Sequence, residues 1–408
     1  MKFTEDIILS KMNQGINNIL HAIDGLCSLP QWYLQRFNKR DKNLWIFDSW
    51  CGERYSDNPR ALYEYVLVNE PTIRPVWITK SEAIYTRLKN EGKPVVMCYS
   101  AEGRKIQKRA GYFFCTHGRL NGESEGELKY MNGIRYVNLW HGAPLKQVGD
   151  DEEHFKVKHV SWWKKVKTSL RKILVPWEFI HGEMINSSPF FAPYLQSAFG
   201  RMFKMIDFAE PRLDKLVQPV TESLIKAIDL QYNSPTKVLY MPTFRDTQFG
   251  RFSPFEQAGF NAERLESILE SQNIVFLYKG HYLDKENGVG NKSERIRVIC
   301  DEDYDDLYSF IKDVDVLITD YSSIYFDFLC LGKPIILFPF DYKEYTSGSR
   351  GFYFDYNLLE AKRVYTWSEL EQCLLQKSYY SPLTEEIRRF RPNPIGNCSK
   401  QIVDYLKQ

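Results

Sequence analysis

The chain has 408 residues, 43% of them apolar and 15% aromatic, so it can bury two cores of about 200 residues each and is not a disordered chain. A formal net charge of +2 gives no general case for binding to nucleic acid, so any electrostatic recognition has to be local. The eight cysteines are scattered, without a Cys-x-x-Cys pair or a Cys/His cluster at zinc spacing. We therefore expect reduced thiols, mostly in cores, and no metal site.

The N-terminal region carries charges throughout and has no small-residue cleavage site, so we predict no signal peptide. No apolar run approaches the ~20 residues that a membrane-spanning helix needs. Apolar residues recur at helical spacing in the first thirty residues, which predicts an amphipathic helix that either packs on a core or lies on a membrane. They are Ile8, Met12, Ile16, Ile19, Ile23 and Leu26.

From Asn43 onward, short β-rich runs alternate with helical patterns such as Pro59–Val68. This alternation predicts parallel sheets wrapped by helices. The first series of predicted strands is Leu44–Asp48, Pro75–Thr79, Pro94–Cys98, Tyr112–Thr116 and Tyr136–Leu139. The second series is Lys237–Met241, Ile274–Lys279, Ile296–Ile299, Val314–Thr319 and Pro334–Phe338.

Two such series predict an α/β protein with two doubly wound lobes. We place the N-terminal lobe at residues 1–210 and the C-terminal lobe at 211–408, joined near Phe208–Gln218. In such sheets ligands bind beyond the carboxyl ends of the strands, so we expect the site between the two lobes.

The segment Val160–Val175 combines an apolar stripe that includes two tryptophans with a basic opposite face and has no acidic residue. This composition is typical of a helix that lies in an anionic lipid interface. A helix that packs its tryptophans on the protein, or a basic groove for an anionic polymer, would use the same residues.

Four segments carry chemistry, and the first is Tyr136–Asp151. Its strand runs into His141 and Gly142, after which Pro144 predicts the first turn of a helix. An imidazole at the carboxyl end of a strand is suited to accept a proton from an attacking hydroxyl. We take His141 and the closing Asp151 as catalytic candidates, although a lone histidine is more often structural.

The second and third segments also follow strands. Val238–Asp246 ends in Thr243, Arg245 and Asp246, where the arginine suits a bidentate phosphate contact and a surface ion pair is the alternative. Phe276–His281 ends in Lys279 and His281, either of which could neutralise a diphosphate.

The fourth segment, Asp313–Asp355, has two polar loops. The strand Val314–Thr319 leads to Asp320, Ser322 and Ser323, which precede a predicted helix at Ile324–Leu331. Hydroxyls and backbone N–H groups at a helix start can bind an anion, and simple helix capping is the alternative. The second loop adds Ser347, Arg350 and Gly351.

None of these segments has the spacing of a Walker loop, a GxSxG elbow, an HExxH helix or a GxGxxG turn. Since all four follow strands and carry phosphate-compatible groups, the residues themselves predict a site for an anionic ligand.

The ordered set of motifs resembles the CDP-glycerol glycerophosphotransferase family, which includes teichoic-acid polymerases and primases and has relatives in capsule synthesis. The resemblance extends from about Leu44 to Tyr356. Its motifs are FDSWCGERYSDNPRALYEY, WHGAPLK, EPRLD, MPTFRD, ITDYSSIYFDF and RGFYFDY.

The resemblance implies a GT-B fold, with two Rossmann-like lobes that face a central cleft, and no cofactor besides the CDP-polyol substrate. It also implies peripheral attachment to the cytoplasmic side of a bacterial inner membrane. His141 would be the general base and His281 would contact the donor diphosphate. The residues that would line the donor site are Thr243, Arg245, Asp246, Asp320, Ser322, Ser323, Arg350 and Gly351.

Three positions depart from the family pattern: Ala143 replaces the usual Thr, Phe244 the usual Trp, and Tyr282 a frequent Pro. The third departure weakens the assignment of His281.

The predicted reaction is the transfer of glycerol phosphate or ribitol phosphate from a CDP-polyol to a hydroxyl of a lipid-linked saccharide or a growing cell-surface polymer, with CMP as leaving group. Its partners would be this donor, this acceptor and an anionic membrane. Two alternatives remain: a GT-B glycosyltransferase that uses a nucleotide sugar for capsule or lipopolysaccharide synthesis, and a non-catalytic membrane-docking subunit.

Overall fold

The chain folds into two compact units, each built on its own parallel sheet. The computed structural model describes residues 26–117, 119–120, 123–124, 126–152, 162–179, 181–219, 222–243, 254–257, 259–280, 293–348, 351–379 and 384–408. The first unit comprises Met1–His141, Val157–Ile185 and Gly200–Ile206, and the second comprises Gly142–Lys156, Asn186–Phe199 and Asp207–Gln408.

The sheet of the first unit has seven strands in the order β3-β2-β1-β4-β7-β8-β9. The strands from β3 to β8 in this order pair in parallel. A short antiparallel pair, β5 (Arg119–Leu120) and β6 (Glu123–Ser124), stands apart. The sheet strands are β1 (Asp41–Phe47), β2 (Arg74–Thr79), β3 (Val95–Met97), β4 (Ala110–Cys115), β7 (Arg135–Asn138), β8 (Gly182–Asn186) and β9 (Phe203–Asp207).

Aromatic rings fill the core of the first unit, where the Phe47 ring stacks on Phe114 with centroids 4.7 Å apart. Serine caps begin two of the helices, since Ser100 Oγ accepts the Gly103 N–H at 2.9 Å and Ser81 Oγ accepts that of Ile84. The described helices of this unit are α1 (26–35), α2 (Asp57–Asn69), α3 (Glu82–Asn90), α4 (Ala101–Arg109) and α5 (Trp162–Leu174), with 3₁₀ turns at Trp50–Gly52, Leu128–Tyr130 and Pro176–Phe179.

The sheet of the second unit has six strands in the order β12-β11-β10-β13-β14-β15, all paired in parallel. Counted from β10, this is the order 3-2-1-4-5-6 of a dinucleotide-binding Rossmann sheet, and the first unit has the same order with one more strand. The strands are β10 (Thr236–Tyr240), β11 (Ile274–Tyr278), β12 (Ile296–Val298), β13 (Val316–Thr319), β14 (Ile335–Leu337) and β15 (Lys362–Arg363).

Apolar clusters cover both faces of this second sheet, as expected for buried parallel strands. The described helices are α6 (Ala192–Phe199), α7 (Ser223–Tyr232), α8 (Ala262–Ser271), α9 (Leu307–Ile311), α10 (Ile324–Leu329), α11 (Tyr342–Gly348), α12 (Trp367–Gln376), α13 (Thr384–Phe390) and α14 (Cys398–Lys407). The 3₁₀ turns lie at Gly149–Asp151, Pro211–Val217, Pro254–Glu256, Asp301–Asp303 and Tyr356–Leu358.

A buried charge network, formed by Glu210, Arg212, Asp327 and Arg391, crosses the core of the second unit. Arg212 Nη2 donates to Asp327 Oδ2 at 2.9 Å, and Arg391 bonds both Asp327 and Glu210, the latter at 2.5 Å. Tyr308 Oη adds a hydrogen bond of 2.8 Å to Asp327. Because Asp327 belongs to α10, this network anchors the helix that follows β13.

The α/β class with two parallel sheets is confirmed, and all ten predicted strands are present within a few residues. The helix predicted at Val160–Val175 is present as α5. Three sheet strands were not predicted: β8, β9 and β15. The predicted N-terminal amphipathic helix lies outside the described residues apart from its last position, Leu26, and the domain limits 1–210 and 211–408 stay a prediction.

Two local predictions are wrong. No helix begins at Pro144: the chain instead stays extended, with Leu145 O accepting the Tyr353 N–H at 3.0 Å and Gln147 N donating to Gly351 O at 2.8 Å. Backbone pairing to another segment thus overrides the local proline signal. Ser347 is not in a loop either, because α11 continues to Gly348.

All eight cysteines lie in the described part of the chain and none forms a disulfide there. None of the described helices is both long and apolar enough to cross a membrane.

Candidate active site

In the first unit, polar and aromatic residues follow the carboxyl ends of β1, β4 and β7. Strands β1 and β4 flank the point where the strand order reverses, which is where Rossmann sheets bind ligands. A hydrogen bond ties the two loops together there, since the Trp50 N–H donates to Thr116 Oγ1 at 3.0 Å. The same Thr116 Oγ1 lies 2.8 Å from His117 Nδ1. The loop after β4 is thereby fixed to the loop after β1.

His141, the predicted base, is half-buried and lies in a cluster of four rings at this edge of the sheet. Its imidazole stacks on that of His117, with centroids 4.2 Å apart and planes 19° from parallel. The Trp140 ring lies 4.0 Å away, and Trp50 completes the cluster at 5.5 Å from His141 and 4.6 Å from His117. The imidazole plane of His141 is therefore set by its ring neighbours.

The backbone that carries His141 turns sharply. Trp140 has φ 52°, a left-handed conformation that residues with a bulky side chain rarely adopt. Two asparagines bind this turn: Asn138 Oδ1 accepts the Trp140 N–H at 2.8 Å, and Asn58 Nδ2 donates to Leu139 O at 3.0 Å and Trp140 O at 2.9 Å.

In the second unit, Thr243 and Asp320 meet at the corresponding reversal of strand order, after β10 and β13. Asp320 is fully buried, and its Oδ1 accepts the N–H of Thr243 at 2.7 Å and that of Tyr321 at 2.5 Å. Tyr356 Oη donates to Asp320 O at 3.0 Å, and burial, with Asp320 adding to it, raises the pKa of this phenol well above its usual value. Asp320 thus shapes the loop after β10 through the backbone.

Ser322 and Ser323 lie half-buried at the start of α10. Ser322 Oγ accepts the Ile324 N–H at 3.4 Å, whereas the Ser323 side chain makes no capping hydrogen bond. Ser323 faces Gly142 instead, since a Cβ at Gly142 would lie 2.8 Å from Ser323 Oγ. Gly142 also has a φ of 153°, which residues with side chains rarely adopt. The backbone conformation at Gly142 therefore favours the glycine of the WHG motif, and the close approach of Ser323 adds to this preference.

Gly351 belongs to the paired segments 145–147 and 351–353 of the second unit, and Asp151 lies in the 3₁₀ turn Gly149–Asp151 that follows the first of them. Gly351 O accepts the Gln147 N–H, while the Asp151 carboxylate accepts from Tyr353 Oη at 2.9 Å and from Ser197 Oγ at 2.8 Å. Both contacts of Asp151 fix local structure, so its predicted catalytic role stays a hypothesis.

Lys279 follows β11 and is paired already, with its Nζ 2.6 Å from Asp301 Oδ1 and 5.0 Å from the centroid of the Tyr304 ring. Four other predicted residues lie outside the described residues, and so does the side chain of Ser347. The four are Arg245, Asp246, His281 and Arg350.

Sequence reasoning missed three residues of these sites. His117 directly follows a strand, as His141 does, and this signal could have identified it. Asn58 was noted only as part of the Asp-Asn-Pro motif, because its partners lie 81 and 82 residues away. Arg212 likewise belongs to the EPRLD motif, and the structure shows that it binds Asp327.

No group of three or more His, Cys, Asp or Glu residues in the described segments could hold a metal ion.

Comparisons with known proteins give one consistent result. The sequence model of a family described as CDP-glycerol:poly(glycerophosphate) glycerophosphotransferase matches residues 31–407. The teichoic acid glycerol-phosphate transferase of Staphylococcus aureus is 29% identical over 325 residues, which cover 78% of this chain and 79% of that protein. The teichoic acid poly(glycerol phosphate) polymerase of Bacillus subtilis is 31% identical over 317 residues, which cover 76% of this chain but 40% of that protein.

Among solved structures, the wall teichoic acid polymerase TagF aligns over 97% of both chains with a TM-score of 0.69. At 22% sequence identity, this likeness shows a shared fold.

Proposed function

Because the chain belongs to the CDP-glycerol:poly(glycerophosphate) glycerophosphotransferase family, we propose that it transfers glycerol phosphate or ribitol phosphate from a CDP-polyol to a hydroxyl group, with release of CMP. The acceptor is a lipid-linked saccharide or a growing cell-surface polymer. The observation that carries the proposal is the half-buried His141, held by ring contacts at the carboxyl end of a sheet whose strand order is that of nucleotide-binding folds.

His141 acts as the general base in this proposal. The acceptor oxygen attacks the β-phosphorus of the donor, the bond from that phosphorus to the bridging oxygen breaks, and CMP leaves with the electron pair. His141 takes the proton that the acceptor hydroxyl loses. A base whose ring plane is set by its neighbours is ready for this transfer without reorganisation.

The donor binds, on this proposal, to the loops of the second unit. Thr243, Ser322 and Ser323 would supply hydroxyls, the two serines would add backbone N–H groups, and Asp320 positions Thr243 by accepting its N–H. Arg245, His281 and Arg350 would offset the charge that develops on the diphosphate. Asp246, Lys279, Ser347 and Gly351 complete the proposed lining, and the arrangement of the two units in a GT-B cleft is part of the same proposal.

Membrane attachment through α5 is also proposed. Three of its apolar side chains are exposed, Trp162 by 65%, Leu170 by 53% and Ile173 by 61%, and they fall on one stripe at helical spacing. Basic residues of the segment, including Arg171 and Lys172, lie outside that stripe and suit an anionic lipid surface. This surface would hold the enzyme at the cytoplasmic face of the membrane.

The test uses the purified chain with membrane lipid extract and CDP-glycerol or CDP-ribitol, with release of CMP as the readout. We expect release with one of the two donors, and release slowed by about 10²–10⁴-fold in a His141→Ala control whose thermal unfolding matches the unmodified protein. Release of a nucleoside diphosphate from a nucleotide sugar would instead favour a glycosyltransferase. No release from any donor by folded, vesicle-bound protein would contradict the proposal and favour a docking subunit.

A further inference from the structure

Asn58 is a buried polar residue of the first unit whose side-chain amide donates both of its protons to one turn, which lies 81 and 82 residues away in the sequence. Its side chain is fully buried at the start of α2. Nδ2 donates to Leu139 O at 3.0 Å and to Trp140 O at 2.9 Å, so the two carbonyls that precede His141 both point at this amide. A group with two N–H donors fits this position, and a carboxylate does not.

The turn that Asn58 binds is one that the local sequence does not favour. Trp140 has φ 52°, where a bulky side chain is strained, so the conformation has to be held by its surroundings. Asn138 Oδ1 accepts the Trp140 N–H at 2.8 Å, and Asn58 Nδ2 donates to the Trp140 carbonyl oxygen. Between them, the two asparagines fix both peptide groups of Trp140.

Asn58 is itself held in place. Asp57 also has a positive φ, 65°, and its Oδ1 accepts the Asn58 N–H at 2.9 Å. The start of α2 is therefore shaped so that the Asn58 amide faces the turn after β7.

We propose that Asn58 is a positioning residue for His141: by holding Leu139 and Trp140 in the strained turn, it directs the His141 ring into its stack with His117. This inference rests on the proposed function in taking His141 as the base. It predicts that loss of the Asn58 amide moves the imidazole and slows the proton transfer, while donor binding in the second unit is unaffected.

The experiment compares Asn58→Asp and Asn58→Ala with Asn69→Ala. Asn69 is the matched control, because it lies on the same helix and its Nδ2 also donates to a carbonyl, Tyr65 O at 2.9 Å, but it is exposed and its acceptor belongs to its own helix. The readouts are kcat and KM for CMP release and the histidine ¹H–¹³C NMR signals. The chain has seven histidines, and the His141→Ala variant identifies the signal of His141.

We expect each Asn58 variant to lose about 10²-fold in kcat, with KM for the donor within twofold, and to shift the His141 signal. Asn69→Ala should change neither. In the His141→Ala background, Asn58→Ala should cause no further loss, because the residue acts through the imidazole. If the Asn58 variants do not fold, Asn138→Ala, which frees only the Trp140 N–H, is expected to shift the signal and lower kcat in the same direction.

An unmoved His141 signal in a folded Asn58 variant, or an equal loss in kcat with and without His141, would overturn the inference. The NMR arm does not depend on activity. If the unmodified protein releases no CMP, the proposed function fails, whereas the His141 signal still decides whether Asn58 positions the ring.

Discussion

The two units have the same strand order, yet they hold their loops in different ways. In the first unit, the turn at His141 is fixed by neutral groups: the amides of Asn58 and Asn138, and stacked rings. In the second, the helix after the Asp320 turn is anchored by the buried ions of Arg212, Asp327 and Arg391. The turn in the first unit orients one side chain, that of His141, whereas the turn in the second unit maintains the conformation of a loop.

The two kinds of anchor respond differently to substitution. A neutral hydrogen bond contributes about 1 kcal/mol net, so its loss lets a turn relax without unfolding the unit. Removal of one partner from a buried ion network leaves an uncompensated charge, at a cost of about 3–5 kcal/mol. Burial raises the pKa of Asp327 while Arg212 and Arg391 oppose that rise, so this carboxylate depends on its partners. We therefore expect substitutions to lower activity in the first unit and stability in the second.

Arg391→Met should give the largest effect, because it removes from the buried Glu210 and Asp327 the arginine that bonds both, and of the two only Asp327 keeps a hydrogen bond from Arg212. We expect the free energy of unfolding of the second unit to fall by about 3–5 kcal/mol, measured by urea denaturation. Lys400→Met is the control, since its ion pair with Asp404 is exposed on both sides and should contribute at most about 1 kcal/mol. A loss below about 1 kcal/mol for Arg391→Met would remove the contrast between the units.

Asp320→Ala tests the loop of the second unit directly. It leaves the N–H groups of Thr243 and Tyr321 without the Asp320 acceptor, which should cost about 2–3 kcal/mol of stability and raise KM for the donor. Asp320→Asn keeps an Oδ1 acceptor and should cost about half as much. Equal effects of the two variants would mean that the negative charge of Asp320, and not its hydrogen bonds, is what matters.

His117→Ala tests the ring stack of the first unit. The stack with His141 at 4.2 Å is worth about 1 kcal/mol, so the unfolding free energy should fall by no more than about 1 kcal/mol, while the displaced imidazole should lower kcat about tenfold. His117→Phe restores a ring and should recover most of the rate. If both variants lose activity equally, the imidazole of His117 has a chemical role of its own.

Trp162→Ser together with Ile173→Ser should have the smallest effect on folding, within about 0.5 kcal/mol, because both side chains are exposed on α5. Binding to vesicles that contain anionic lipid should weaken in a flotation assay, while activity on a water-soluble acceptor is retained. Unchanged vesicle binding would exclude this stripe as the membrane contact, and a large loss of stability would show that it packs on the protein.

The sequence predicted those elements whose residues show a clear local pattern. Strongly apolar strands and the apolar stripe with a basic opposite face in α5 are local patterns. The structure places these elements within a few residues of their predicted bounds. The strands β8 and β9 were not predicted: in Gly182–Asn186 and Phe203–Asp207 the apolar run is two residues long and charged residues stand beside it. The extended path after Pro144 depends on hydrogen bonds to residues more than 200 positions away, which no local signal contains.

The position of a candidate residue was predictable where it follows a strand. His141, Thr243 and Asp320 lie at strand ends as predicted, and His117 could have been placed in the same way. Asn58 could not, because its Asp-Asn-Pro context predicts turn and helix-start chemistry, whereas its partners belong to another strand end. The same holds for Arg212, whose binding to Asp327 requires the folded core.

The most direct test of the central claim is the steady-state rate of CMP release from the preferred CDP-polyol by the unmodified chain and by His141→Ala. We predict that kcat falls by about 10²–10⁴-fold while KM for the donor changes little, since the proposed base lies in the first unit and the proposed donor loops in the second. Full activity of a folded His141→Ala variant would contradict the assignment of His141 as the base.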